Sequence, residues 1–220
     1  MALLVVRWRL QYSLSPRDLA TMFLERGIVF THEAARTWEE RFAPLLAERL
    51  RARRGKAGGE WYVDETYVQV QGRPCYLYRA IDRDGTLVDS MLSEHRDMDA
   101  AKRFFAQAIK VVGHGPTQVT TDGHASYPRA IRETAGEGVE HRCSRYLNNR
   151  LEQDHRGIKQ RYHPMRGFGS FHAASRFCTA HDELRDHFRT RRATGEVVPP
   201  AEQRRRFVER LAELDTLRAA

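Results

Sequence analysis

Cysteine is scarce. Cys75, Cys143 and Cys178 are the only three in 220 residues, odd in number, scattered, and without a Cys-x-x-Cys pair. This argues against a disulfide framework and a structural zinc site, and it points to a reducing cytoplasm. Long apolar runs are also missing. The run of residues 2–6 is cut at once by Arg7, far short of the roughly 20 residues a membrane span needs. No membrane partner is expected, and no signal peptide is legible. There is no Gly-x-Ser-x-Gly, no Walker-type loop and no dinucleotide fingerprint, so nothing suggests a small-molecule substrate. Lysine is rare as well, supplying four of the 37 basic residues.

Arginine fills that gap. Its planar fork grips phosphate with two hydrogen bonds. The net charge is +8, and it is unevenly spread. Residues 1–59 carry 11 basic and 6 acidic groups, residues 60–150 carry 12 and 13, and residues 151–220 carry 14 and 10. Basic flanks around a middle that keeps its carboxylates suit a polyanion held at the ends and a cation bound in the centre. Hydrophobic residues make up 41%, enough for a folded core.

Residues 2–12 read as a helix. Ser15, Pro16 and Asp18 then form an N-cap, first-turn proline and capping-box acid, with Leu14 and Leu19 placed as a hydrophobic staple. That helix is expected to run to about Glu25 and to break at Gly27. Thr31 caps a second helix expected to end near Phe42, with Trp38 and Phe42 as its buried stripe. Two helices joined by a Gly-containing turn make a helix-turn-helix candidate for residues 1–50. His32, Glu33, Arg36 and Thr37 would then lie where base edges are read.

Residues 51–59 read as a basic, Gly-rich linker, with Arg53 and Arg54 as candidate nucleic-acid contacts. Beyond it the period changes. Residues 61–70, 75–82 and 87–92 are strand-like, the last two joined by an Asp-Gly turn. Residues 100–112 form an amphipathic helix with Phe104, Phe105, Ala108 and Ile109 inward. Residues 118–121 and 139–143 read as short strands, and 127–134, 151–162 and 171–189 as helices. A charged, peripheral helix is expected over 201–220. The order is an α/β sheet covered by helices, over residues 60–192, followed by a tail at 193–220.

Three acids stand out by position. Asp64 interrupts an apolar strand, a costly place for a lone charge. Asp122 ends the fourth strand, where open sheets place functional groups. Glu152 opens a helix. Hard oxygen donors without thiolates suit Mg²⁺ or Mn²⁺, and two such ions about 4 Å apart serve phosphodiester chemistry. At about 100° per residue, Glu152, Arg156 and Lys159 fall at about 0°, 40° and −20°, one face bearing an acid and two candidate phosphate contacts. Leu151, Ile158 and Tyr162 gather near −100°, the core face. Alternation puts Glu65 on the strand face opposite Asp64, and Asp154 falls near 200°. Both read as structural or solvent-facing. The histidines, His155 and His181 included, read as surface groups or phosphate contacts.

These residues, in this order, resemble the DDE transposases of bacterial insertion sequences, specifically the insertion-sequence-six family. The pieces are Val6-Arg7-Trp8 with Tyr12, Asp64-Glu65-Thr66-Tyr67 in its strand, Tyr76-Leu77-Tyr78-Arg79-Ala80-Ile81-Asp82, and Thr121-Asp122 followed by Tyr127-Pro128. Further on come Glu140-His141-Arg142, Asn148-Asn149-Arg150-Leu151-Glu152-Gln153-Asp154-His155-Arg156, and Met165-Arg166-Gly167-Phe168. The resemblance implies a ribonuclease-H-like catalytic domain, here a three-stranded meander extended by two strands, preceded by a small all-α helix-turn-helix domain. It implies that Asp64, Asp122 and Glu152 are catalytic acids binding two divalent metals, with Lys159 matching a basic residue common after the Glu. It implies recognition of terminal inverted repeats, metal-dependent strand cleavage, transfer of the 3′-hydroxyl to target DNA with cointegrate formation, and a homo-oligomer on paired ends. A DNA-binding remnant or a plain nuclease of the same fold are the alternative readings. Three departures accompany the resemblance. Relatives usually carry a further stretch before the segment beginning at Ala2. Gly123 replaces a common Lys. Asp122 and Glu152 are 30 positions apart, which is closer than is usual.

Overall fold

Ser15 accepts from the Asp18 backbone N–H, and Asp18 accepts from that of Ser15. This reciprocal capping box starts α2 (Pro16–Leu24) as the sequence predicts. The computed structural model describes residues 1–144, 149–189 and 198–216; for residues 149, 150, 152, 153 and 215 it describes the backbone. The chain divides into two compact units, Met1–Arg54 with Thr179–Ala220, and Gly55–Cys178.

In the first unit, α1 (Ala2–Gln11) and α2 pack on α3 (His32–Arg53). Val5, Leu19, Phe23 and Ala35 are the centre of this core. An aromatic run Trp8–Phe23–Phe30–Trp38 surrounds it, with ring centroids 4.9–5.4 Å apart. Thr31 caps α3, as expected. The helix does not end near Phe42, however; it continues through Pro44 to Arg53. Ala43, Leu46, Ala47 and Leu50 are buried at i, i+3, i+4 and i+7, an apolar stripe that holds the helix together despite the missing proline donor.

In the second unit, Gln71 and Gly72 both have positive φ, 50° and 75°, the geometry of a two-residue hairpin turn. It joins β1 (Glu60–Val70) to β2 (Arg73–Asp82), paired antiparallel from Val70–Arg73 to Trp61–Asp82. At the other end Asp82 Oδ1 accepts from the Asp84 and Thr86 N–H groups, at 2.9 and 2.8 Å, and closes the turn into β3 (Leu87–Ser93). Asp97 caps α4 (Met98–Val112), which ends at left-handed Gly113. Next come β4 (Gln118–Thr121), α5 (Ser126–Ala135), β5 (Glu140–Cys143) and α6 (Asn149–Tyr162). The sheet order is β3-β2-β1-β4-β5, with β4 and β5 parallel to β1. It is the extended meander expected of a ribonuclease-H-like domain. One face of the sheet buries Trp61, Val63, Tyr78 and Ala80 against Phe104 and Phe105 of α4 and Tyr127 and Ile131 of α5. On α6, Leu151, Ile158 and Tyr162 are buried, as the wheel predicts. Beyond α6, Phe168 bridges to Val70, exchanging backbone hydrogen bonds of 2.8 Å with Gln69 and Gln71.

The helix α7 (Phe171–Phe188) gives its residues from Thr179 onward to the first unit, together with α8 (Pro200–Thr216). His181 Nδ1 lies 3.1 Å from the Leu10 carbonyl. His187 Nε2 lies 2.9 Å from that of Arg210. Arg51 and Arg54 both pair with Glu183, at 2.8 and 3.1 Å. The linker expected at 51–59 therefore begins only after α3 ends, and residues 179–189 group with the amino-terminal helices, not with the sheet. No described helix is long and apolar enough to cross a membrane.

Candidate active site

The sheet register brings two of the predicted acids together. β4 runs parallel to β1 with Tyr62 beside Thr120. Two residues further along each chain stand Asp64 and Asp122. Asp64 is still in β1, and Asp122 follows the last residue of β4. Strand parity points both side chains the same way, and their charges act on each other. Asp122 Oδ1 accepts from the His124 N–H at 3.0 Å, a local turn that fixes the carboxylate. Gly123 takes φ +90° in that turn, a conformation glycine adopts at little cost.

Burial pushes the Asp64 carboxyl up to about 7; the charges of Glu65 and Asp122 add to this, while the Glu65 N–H, donating at 2.9 Å, opposes it. Two acids crowded at one strand end, one of them held partly protonated, form a site that favours a cation. The donors are all carboxylate oxygen, which fits a hard divalent ion.

The third predicted acid, Glu152, lies on the first turn of α6, and its side chain is outside the described residues. Among the described residues no cluster of three or more His, Cys, Asp or Glu converges on one point. The remainder of α6 agrees with its predicted faces in part. Arg156 is exposed and Lys159 half-buried, its Nζ 5.8 Å from the centre of the Tyr67 ring. Asp154 is buried, 3.7 Å from Arg79, the residue paired with Asp64 across the hairpin.

His155 is a correction. It is no surface group: it is buried, with Nδ1 3.7 Å from Asp64 Oδ2. Burial, then the charges of Arg79 and Lys159, push its imidazole down to about 3, so it faces Asp64 as a neutral ring. At about −60° on the wheel it borders the core stripe, a signal that pointed inward. Glu65 lies on the opposite strand face, as alternation predicts, and accepts from the Tyr127 hydroxyl and from Arg96. Arg96 was not legible in the sequence; it sits in the irregular loop before α4 with no periodic pattern around it.

In the first unit, His32 and Arg36 both pair with Glu33, at 3.0 and 2.9 Å, on the exposed start of α3, and Thr37 donates to the Glu33 carbonyl. The Arg54 side chain is 9% exposed and pairs with the buried Glu183 at 3.1 Å. Arg53 is exposed but donates to the Glu213 carbonyl and the Thr216 hydroxyl of α8.

Comparison with known proteins bears on this arrangement. Residues 58–191 match a family model described as a DDE domain. The chain is 38% identical over 160 residues to the transposase for insertion sequence-like element IS431mec of Staphylococcus aureus, covering 71% of each chain. It is 37% identical, over the same length and shares, to the transposase for insertion sequence element IS257 in transposon Tn4003 of Staphylococcus aureus. Among solved structures, it is similar to the HTLV-2 integrase catalytic core domain in complex with magnesium, at 14% identity and a TM-score of 0.45, covering 68% of this chain and 95% of that one. The chain belongs to the DDE transposases of the insertion-sequence-six family.

Proposed function

We propose that Asp64, Asp122 and Glu152 are the acids of this transposase, and that they hold two Mg²⁺ or Mn²⁺ ions while DNA is cut at the ends of its insertion sequence. The observation that carries this is the Asp64–Asp122 pair, set side by side by the β1–β4 register, with Asp64 pushed up to about 7. Bound divalent ions supply Lewis acidity at the scissile phosphate and stabilise the leaving oxygen. The chain's own residues supply the frame. His124 orients Asp122 through its backbone, neutral His155 packs against Asp64, and exposed Arg156 and half-buried Lys159 face DNA phosphates. His32, Arg36 and Thr37 read the terminal inverted repeats from the helix-turn-helix of residues 1–50. The released 3′-hydroxyl is passed to target DNA, joining donor and target as a cointegrate. A homo-oligomer acts on paired ends.

The test is cleavage of labelled end DNA against Mg²⁺ concentration for the wild type and Asp122→Asn. The variant is expected to bind DNA as tightly in the absence of metal and to cleave none. Undiminished cleavage by Asp122→Asn would remove it from the site.

A further inference from the structure

The loop between β3 and α4 carries Arg96 to the carboxylate pair. Its Nε donates to Glu65, whose side chain is 3% exposed and also accepts from the fully buried Tyr127. One edge of the guanidinium is therefore anchored from beneath the strand. The Arg96 side chain is 37% exposed, beside Asp122 of the carboxylate pair. Its Nη2 stands 3.7 Å from Asp122 Oδ2, beyond hydrogen-bond length. That contact is too loose to orient Asp122, which the His124 N–H already fixes. Arg79, on the neighbouring strand, is by contrast 1% exposed beside Asp154.

An arginine held at Nε keeps its remaining N–H groups in a fixed fork, the geometry that grips a phosphate bidentately. Because the anchor is already in place, little freedom is lost when the phosphate arrives. We propose that Arg96 is a DNA-phosphate contact inside the catalytic site, anchored by Glu65 and exchanging its loose pairing with Asp122 for the phosphate that lies against the acids. The inference rests on the reading of Asp64 and Asp122 as catalytic acids.

The test uses the full chain and its Arg96→Gln, Arg96→Lys and Asp122→Asn variants. Three quantities are measured: Mn²⁺ binding by electron paramagnetic resonance, affinity for end DNA over a salt series without metal, and the strand-cleavage rate. Arg96→Gln is expected to lower cleavage about 10²-fold and to reduce the salt slope of DNA binding by about 1, with Mn²⁺ affinity kept within about twofold. Arg96→Lys keeps the charge without the fork; its salt slope should stay and its cleavage should fall about tenfold. If Arg96→Gln misfolds, as judged by circular dichroism, the Lys variant alone decides. Unchanged cleavage in the Arg96 variants overturns the proposal. So does loss of Mn²⁺ binding together with cleavage, which would make Arg96 a support for Asp122. Full cleavage by Asp122→Asn would instead overturn the reading beneath it, and the salt slope would still report on Arg96.

Discussion

Asp64 places a carboxyl inside a strand at the expense of the fold. It interrupts a strand that buries Trp61, Val63 and Val68, and burial and neighbouring acids push its carboxyl up to about 7. In the unfolded chain the same group titrates near its ordinary 3.8. Between those values the folded state holds the proton and the unfolded state does not. Stability is therefore greatest below about pH 4 on this account and is lost as pH rises through 7. In metal-free protein, urea midpoints at pH 4.5, 5.5 and 7 are expected to fall more steeply for the wild type than for Asp64→Asn. Identical slopes would contradict the assigned environment. The placement of Asp64 and Asp122 beside each other and the face of Glu65 were legible because strand position and alternation are local signals. His155 and Arg96 were not read as site residues. Burial of the first depends on where the sheet lies against α6, and placement of the second depends on a loop anchored by a residue 31 positions away.

At the scale of the element, capping chemistry made the starts of α2 and α3 readable, since each rests on residues adjacent in sequence. In the sequence α3 reads as ending near Phe42 with Trp38 and Phe42 as its stripe, whereas the buried apolar stripe continues to Leu50 and carries the helix to Arg53. The segment after α6 is placed by a contact that no periodicity reports. Gly167 has φ +96°, and a Cβ there would stand 2.8 Å from the Gln69 carbonyl oxygen. This close approach lets Phe168 bridge to Val70 on β1. Gly167→Ala is expected to cost about 2 kcal/mol or more, through the strained φ and the backbone clash together. Chemical denaturation measures it, and a loss below about 0.5 kcal/mol would mean that the bridge does not hold this segment.

For the molecule as a whole, the sequence predicted a ribonuclease-H-like sheet after an amino-terminal helical part, and the structure has both. The carboxy-terminal part was harder to assign, because the pairs that join it to the first unit link residues far apart in the chain. Glu183 reaches Arg51 and Arg54 over 132 and 129 positions, and no local pattern encodes such a partner. Residues that read as a cationic linker are thereby spent partly on the fold, while the exposed start of α3 keeps His32, Arg36 and Thr37 at the surface. The measurement that bears most directly on the account is a denaturing gel of end DNA and target DNA incubated with Mg²⁺ and either the wild-type chain or Glu152→Gln. The account predicts 3′-end cleavage followed by joined products for the wild type, and bound but intact DNA for Glu152→Gln. Cleavage and joining by Glu152→Gln at the wild-type rate would contradict it.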